Sequence, residues 1–166
     1  ELENGDRGKN YPSKSFRVSA GIPFINAGHV DNGDIDMATM DFISPERFEL
    51  LGSGKVTKGD VLFCLRGSLG KVGMVRDFDT GAIASSLAIL RSNDQILPEY
   101  LLAYFQTSTA SEMIRRFDNG TAQPNLSSAN LAKFEVPLFP IHIQEEIVSQ
   151  VKAVKQNLEM LEKNHA

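Results

Sequence analysis

The chain has 166 residues, 42% of them hydrophobic and 23% charged. That balance excludes wholesale disorder and gives one domain with room for an appendage, large enough to fold without a disulfide or metal staple. A net charge of −4 excludes a protein that coats nucleic acid by charge alone, and a single cysteine (Cys64) with three scattered histidines excludes an internal disulfide and a structural zinc site.

In chain order, residues 1–20 are polar and rich in Gly, Asn and Pro, and read as loop. Ile22 to Ile25 forms a short β-type run, followed by the turn signal Asp31-Asn32-Gly33-Asp34. Phe42-Ile43 and Lys55-Val56 are weaker strand candidates. Val61 to Leu65 is continuously apolar, which predicts a strand buried on both faces. Val72 to Val75, Ala82 to Ala84 and Leu87 to Leu90 continue the β pattern. Pro98 then opens a helix with Leu101, Leu102, Tyr104 and Phe105 on its apolar face. A second helix starts near Thr109 and ends at Asn119-Gly120. A polar loop, Gly120 to Ser128, leads to a short helix and an expected strand from Phe134 to Phe139, and Pro140 closes the domain. The expected fold class is α/β (α+β), with a mixed sheet.

The final segment changes character. Ile147, Val151, Val154, Leu158 and Leu161 are spaced 4, 3, 4 and 3, an a/d seam with Glu, Lys, Gln and Asn elsewhere. A helix from about Gln144 to Asn164 with so narrow a stripe is expected to meet a partner helix. Docking on its own core is the alternative. The resulting division is a domain over 1–140 and a helix over 141–166.

No catalytic constellation is present. The pairs Gly54-Lys55 and Gly70-Lys71 fail as phosphate loops, since Val56 and Val72 stand where a Ser or Thr must hold magnesium. No nucleophile elbow or paired metal ligands occur. His29, His142 and His165 are isolated, and Cys64 lies in an apolar run as a small buried hydrophobe. No apolar run approaches a membrane span, and the N-terminus is no signal peptide, so a soluble, reduced, cytoplasmic protein is expected.

Contact chemistry is better represented. Residues 7–17 carry Arg7, Lys9, Lys14 and Arg17 without an acid, and residues 55–76 carry five cations against Asp60. Between them, residues 31–49 hold six acids against Arg47. Arg66-Gly67-Ser68-Leu69-Gly70-Lys71 ends the buried strand. Its glycines permit a tight turn with exposed N–H groups, and its cations and hydroxyl suit phosphate oxygens. The Gly120–Ser128 loop concentrates Thr121, Gln123, Asn125, Ser127 and Ser128, and Gln or Asn amides pair with adenine edges in the major groove. Each has a structural alternative: Arg66 pairing with a carboxylate, and Asn125 or Ser127 capping the next helix.

Taken together and in order, several stretches carry a resemblance. They are Gly5-Asp6-Arg7-Gly8-Lys9-Asn10-Tyr11-Pro12, Gly21 to Asn26, Gly59 to Phe63 with Arg66 to Lys71, Ala84-Ser85-Ser86, Pro98 to Leu101, Gly120 to Ser127, and Pro137 to Pro140 with Gln144 to Val148. The set resembles one target recognition domain, with its following helix, of the DNA-specificity (S) subunits of type I restriction–modification systems. The resemblance implies a non-catalytic α/β module that grips double-stranded DNA and reads half of a split target. It implies methyltransferase (M) and restriction (R) subunits as partners, and self-association through the helix. No cofactor is expected on this chain; S-adenosylmethionine belongs to the methyltransferase subunit. Arg7, Lys9, Arg66, Ser68, Lys71, Ser85, Gln123 and Asn125 are the expected DNA contacts. A full S subunit holds two recognition domains and two helices, so the chain reads as a half-length subunit or part of a longer one. The alternatives are a recognition domain from a single-chain restriction–methylation enzyme, or an assembly module that reads no bases.

Overall fold

The computed structural model describes residues 1–117 and 125–164. The strands are β1 (Leu2–Asn4), β2 (Arg17–Val18), β3 (Ile22–Ile25), β4 (Val30–Asp31), β5 (Asp34–Ile35), β6 (Asp41–Ile43), β7 (Lys55–Thr57), β8 (Val61–Cys64), β9 (Val72–Met74), β10 (Thr80–Ile83) and β11 (Leu87–Leu90). The helices are α1 (Pro45–Glu49), α2 (Pro98–Phe105), α3 (Ser108–Phe117), α4 (Ser128–Leu131) and α5 (Ile141–Asn164). An antiparallel sheet runs β1-β11-β8-β9, and a mixed sheet runs β2-β6-β3-β10-β7 with β3 and β10 parallel.

The layering follows from β8. Its neighbours β11 and β9 bury it in-plane, and its side chains alternate between two apolar layers. Val61, Phe63 and Leu65 pack with Leu101, Leu102, Phe105 and Ile114 of the helices. Leu62 and Cys64 pack with Ile25, Val56 and Ile83 of the second sheet. The order is helices, antiparallel sheet, mixed sheet, with Phe24, Ile43 and Leu51 forming a smaller core on the far side. The two-faced burial expected of Val61–Leu65 is what the strand shows. Burial also pushes the Cys64 thiol up to about 12, as expected of an inert hydrophobe.

Asn32 (φ 44°) and Gly33 (φ 95°) both occupy the left-handed region that a two-residue hairpin turn demands, joining β4 to β5. His29 is buried, accepting the Asn26 N–H at Nδ1 and donating from Nε2 to the Thr39 carbonyl, a structural role.

Two expectations fail. Residues 1–20 are not all loop: β1 pairs with β11, Leu2 opposite Leu90, and Glu3 joins Arg91 and buried Asp60 in an ion network. An edge strand of three residues leaves no period for sequence to show. Residues 134–139 make no strand. They cross the helices as extended chain, where the hydroxyls of Tyr100 and Tyr104 donate to the carbonyls of Pro137 and Glu135 in place of a ladder. The five seam residues of α5 are also not equivalent. Ile147 and Val151 are half-buried where α5 meets α2, whereas Val154, Leu158 and Leu161 are exposed.

Gln144 sets the direction of α5. Its fully buried side chain accepts the Leu97 N–H at 2.9 Å and donates to the carbonyls of Gln95 (2.8 Å) and Phe139 (2.7 Å). About three turns further on, Lys155 donates to the Gln106 side chain at 2.7 Å. Beyond that point the helix leaves the domain.

Candidate nucleic-acid interface

The end of β8 builds one wall of a groove. Gly67 (φ 82°) and Gly70 (φ 85°) turn the chain back toward β9. Two of the turn's amides are used internally: Gly70 N–H bonds Cys64 O and Lys71 N–H bonds Ser68 O, both at 3.0 Å. Opposite it, Leu126 N–H bonds Leu65 O at 2.9 Å, and Asn125 forms an antiparallel bridge with Arg66. Asn125 and Leu126 are thus fastened to the glycine turn.

Between them lies a cavity of about 1210 Å³. Arg7, Arg66, Ser68, Lys71 and Asn125 all line it, together with Arg115 of α3, Asn26, Ser86 and Ser127. Among the described residues four cations and no carboxylate line this space, in a chain whose net charge is −4. Such a concentration of one sign focuses the field in the cleft and favours an anionic partner.

The cations are held differently. Arg7 and Arg66 each donate from Nη2 to the carbonyl oxygen of Ser85, at 3.3 and 3.2 Å. One neutral acceptor therefore brings two guanidiniums together, with further N–H groups left on each for an incoming anion. Lys71 pairs with Asp31 at 3.2 Å. Arg115 is exposed at the C-terminal end of α3.

Arg7 is well anchored despite its polar neighbourhood. Asp6 accepts the backbone N–H groups of Gly8 and Gly52, and those bonds hold its carboxyl below the ordinary value. Tyr11 packs edge-on against Phe24, and Asn10 donates to Leu50 O. The loop is fixed to the mixed sheet before any ligand arrives.

Of the expected contacts, five converge on the groove. Ser85 contributes through its carbonyl, and its neighbour Ser86 lines the space. Lys9 is exposed outside the groove. Gln123 lies outside the described residues. Ser127 shows its capping alternative, its Oγ accepting the Asn130 N–H at the start of α4 at 3.1 Å. Arg66 is paired with no carboxylate among the described residues. Arg115 went unrecognised in the sequence; the adjacent cations Arg115-Arg116 ending a helix before the polar loop were its available signal. Among the described residues no cluster of three or more metal-ligating side chains occurs, and no helix is long and apolar enough to cross a membrane.

The profile of the type I restriction modification DNA specificity domain matches residues 1–166. The chain is 26% identical over 147 residues to the type I restriction enzyme EcoBI specificity subunit of Escherichia coli, covering 88% of this chain and 31% of that protein. Its fold superposes on a chain from a structure described as the basis of complex assembly and conformational transition of the type I R-M system. The TM-score is 0.76 at 19% identity, over 99% of this chain and 38% of the other. The HsdS subunit from Thermoanaerobacter tengcongensis gives a TM-score of 0.69 at 18% identity, over 100% and 37%. The type I restriction–modification S subunit from M. genitalium gives 0.61 at 17%, over 98% and 38%. The chain spans about a third of the length of these relatives. With a mixed α/β fold ending in a long helix, a groove of converged cations and a profile match along its whole length, the chain belongs to the type I restriction–modification DNA specificity domain family.

Proposed function

We propose that the chain is a target recognition module that grips double-stranded DNA along the Arg7–Arg66–Lys71–Arg115 groove and reads part of the target of a type I restriction–modification system. The observation that carries this reading is the convergence of four cations, with no lining carboxylate among the described residues, on one groove of an acidic chain. Phosphate contacts from these cations fix register, and the amides of Asn125, Asn26 and Gln123 are the candidates for base edges. In this reading the chain does no chemistry. Methyl transfer and cleavage belong to methyltransferase and restriction subunits, S-adenosylmethionine is bound by the former, and the complex works in the cytoplasm.

The C-terminal helix is the assembly element. Its exposed Val154, Leu158, Met160 and Leu161 suit a second helix, supplied by another copy of the chain or by a second helix of a longer subunit. At 24 residues α5 is ~36 Å long, close to one turn of B-DNA. An antiparallel pair therefore sets two recognition domains about one helical turn apart.

Methylome sequencing of cells with and without the protein tests the function directly. Loss of methylation at one sequence motif is expected. An unchanged methylome, with the partner methyltransferase present and active, contradicts it.

A further inference from the structure

Lys71 lines the groove yet is the one groove cation, among the described residues, held by a carboxylate. Its partner comes from the acidic hairpin. Asp34 there is bonded to Arg76, and Asp36 accepts the Ala38 N–H at 2.8 Å and the Thr39 hydroxyl at 3.1 Å. The Asp31 side chain, by contrast, bonds Lys71 alone among the described residues. The side chains of Lys71 and Asp31 are 49% and 74% exposed, so the pair contributes little to stability and is screened by salt. A pair of so little structural value, formed by a cation that lines the groove, matters for what competes with it.

We propose that Asp31 is a built-in competitor for phosphate, a residue that lowers the affinity of the groove for DNA of arbitrary sequence. With Asp31 in place, a phosphate reaching Lys71 must displace a carboxylate or share the cation with it, so the contact releases less than a full counterion's worth of free energy. Binding to random sequence rests almost wholly on such contacts and is weakened in proportion. Binding to the cognate site adds base contacts that Asp31 does not touch, and the ratio between the two rises. Asp31 thus acts on specificity without reading a base. The inference rests on the groove being the DNA face.

The test uses the full chain and a random-sequence duplex, with fluorescence anisotropy read across a salt series. Asp31→Asn is expected to bind severalfold more tightly at ~0.1 M salt, with a slope of log K against log salt steeper by about one. Its melting temperature should match the wild type. In a Lys71→Ala background the same change should have no effect, because the competitor has lost its target. An Asp31→Asn protein with unchanged affinity and slope overturns the proposal, as does an equal gain in the Lys71→Ala background, which marks a general charge effect. Arg66→Ala and Arg115→Ala separate the two levels. If they weaken binding while Asp31→Asn is silent, the competitor alone is refuted; if they too are silent, the groove is not the DNA face and both readings fall.

Discussion

Replacing Gln144 with methionine keeps the length of the side chain and removes every hydrogen bond it makes. The Leu97 N–H loses its acceptor, and the carbonyls of Gln95 and Phe139 lose their shared donor. Each such bond contributes roughly 0.5–1.5 kcal/mol net, and each buried group left unpaired costs more. With the side chain fully buried, a loss of about 3 kcal/mol or more follows from the three together. Gln144→Glu sharpens the point. It keeps an acceptor for Leu97 but turns an anion toward two carbonyl oxygens, so its pKa rises in the folded state and stability falls as pH rises through the carboxylate range. The damage should therefore be smaller at acidic than at neutral pH. Urea unfolding with a constant m-value measures both effects, and proteolysis near residues 139–144 reports whether α5 has come loose. A loss below ~1 kcal/mol for the methionine variant would refute the view that one glutamine fixes the helix to the domain.

Further outcomes follow from the same geometry. Cys64 should resist alkylation at pH 8 in the folded chain and react once urea unfolds it; because burial raises its thiol to about 12 against 9.0 unfolded, stability should decline as pH climbs from 9 toward 12, and a flat profile there contradicts the burial. Asp6→Ala should free the Arg7 loop from Gly8 and Gly52, weakening duplex binding severalfold while a similar Lys9→Ala change outside the groove does little; equal losses would show that position within the groove is irrelevant. Sedimentation of the wild type against a Val154→Asp, Leu158→Asp double variant tests helix pairing. Self-association lost in the variant is expected, and a wild type that stays monomeric at high concentration removes the self-pairing version.

What the sequence reveals depends on how local the cause is. Val61 to Cys64 reads correctly because a strand covered on both faces must be apolar at every position. Asn32-Gly33 reads correctly because only such residues tolerate two positive φ angles in succession. Ser44-Pro45-Glu46 carries an equally local signal: the Ser44 hydroxyl accepts the Arg47 N–H and starts α1. β1 is legible only through its partner β11, 84 residues away at Asn4–Ala88 and 88 at Leu2–Leu90, outside any window of local periodicity. The groove is divided in the same way. Arg66, Ser68 and Lys71 show themselves by crowding around two glycines, whereas Arg115 on an amphipathic helix looks like any solvated charge until α3 is packed beside the turn. The Lys71–Asp31 pair joins residues 40 apart, and nothing near either one announces the other.

The central claim is that the converged cations hold DNA phosphates, and the salt dependence of duplex binding tests it most directly. Arg66→Ala and Arg115→Ala, each measured by anisotropy on the same duplex, should each lower the slope of log K against log salt by about one unit. Both should weaken binding to all sequences to a similar degree. Lys9→Ala serves as the control and should leave the slope in place. Slopes that stay at the wild-type value in the two arginine variants, or that fall equally in the Lys9 control, would contradict the account.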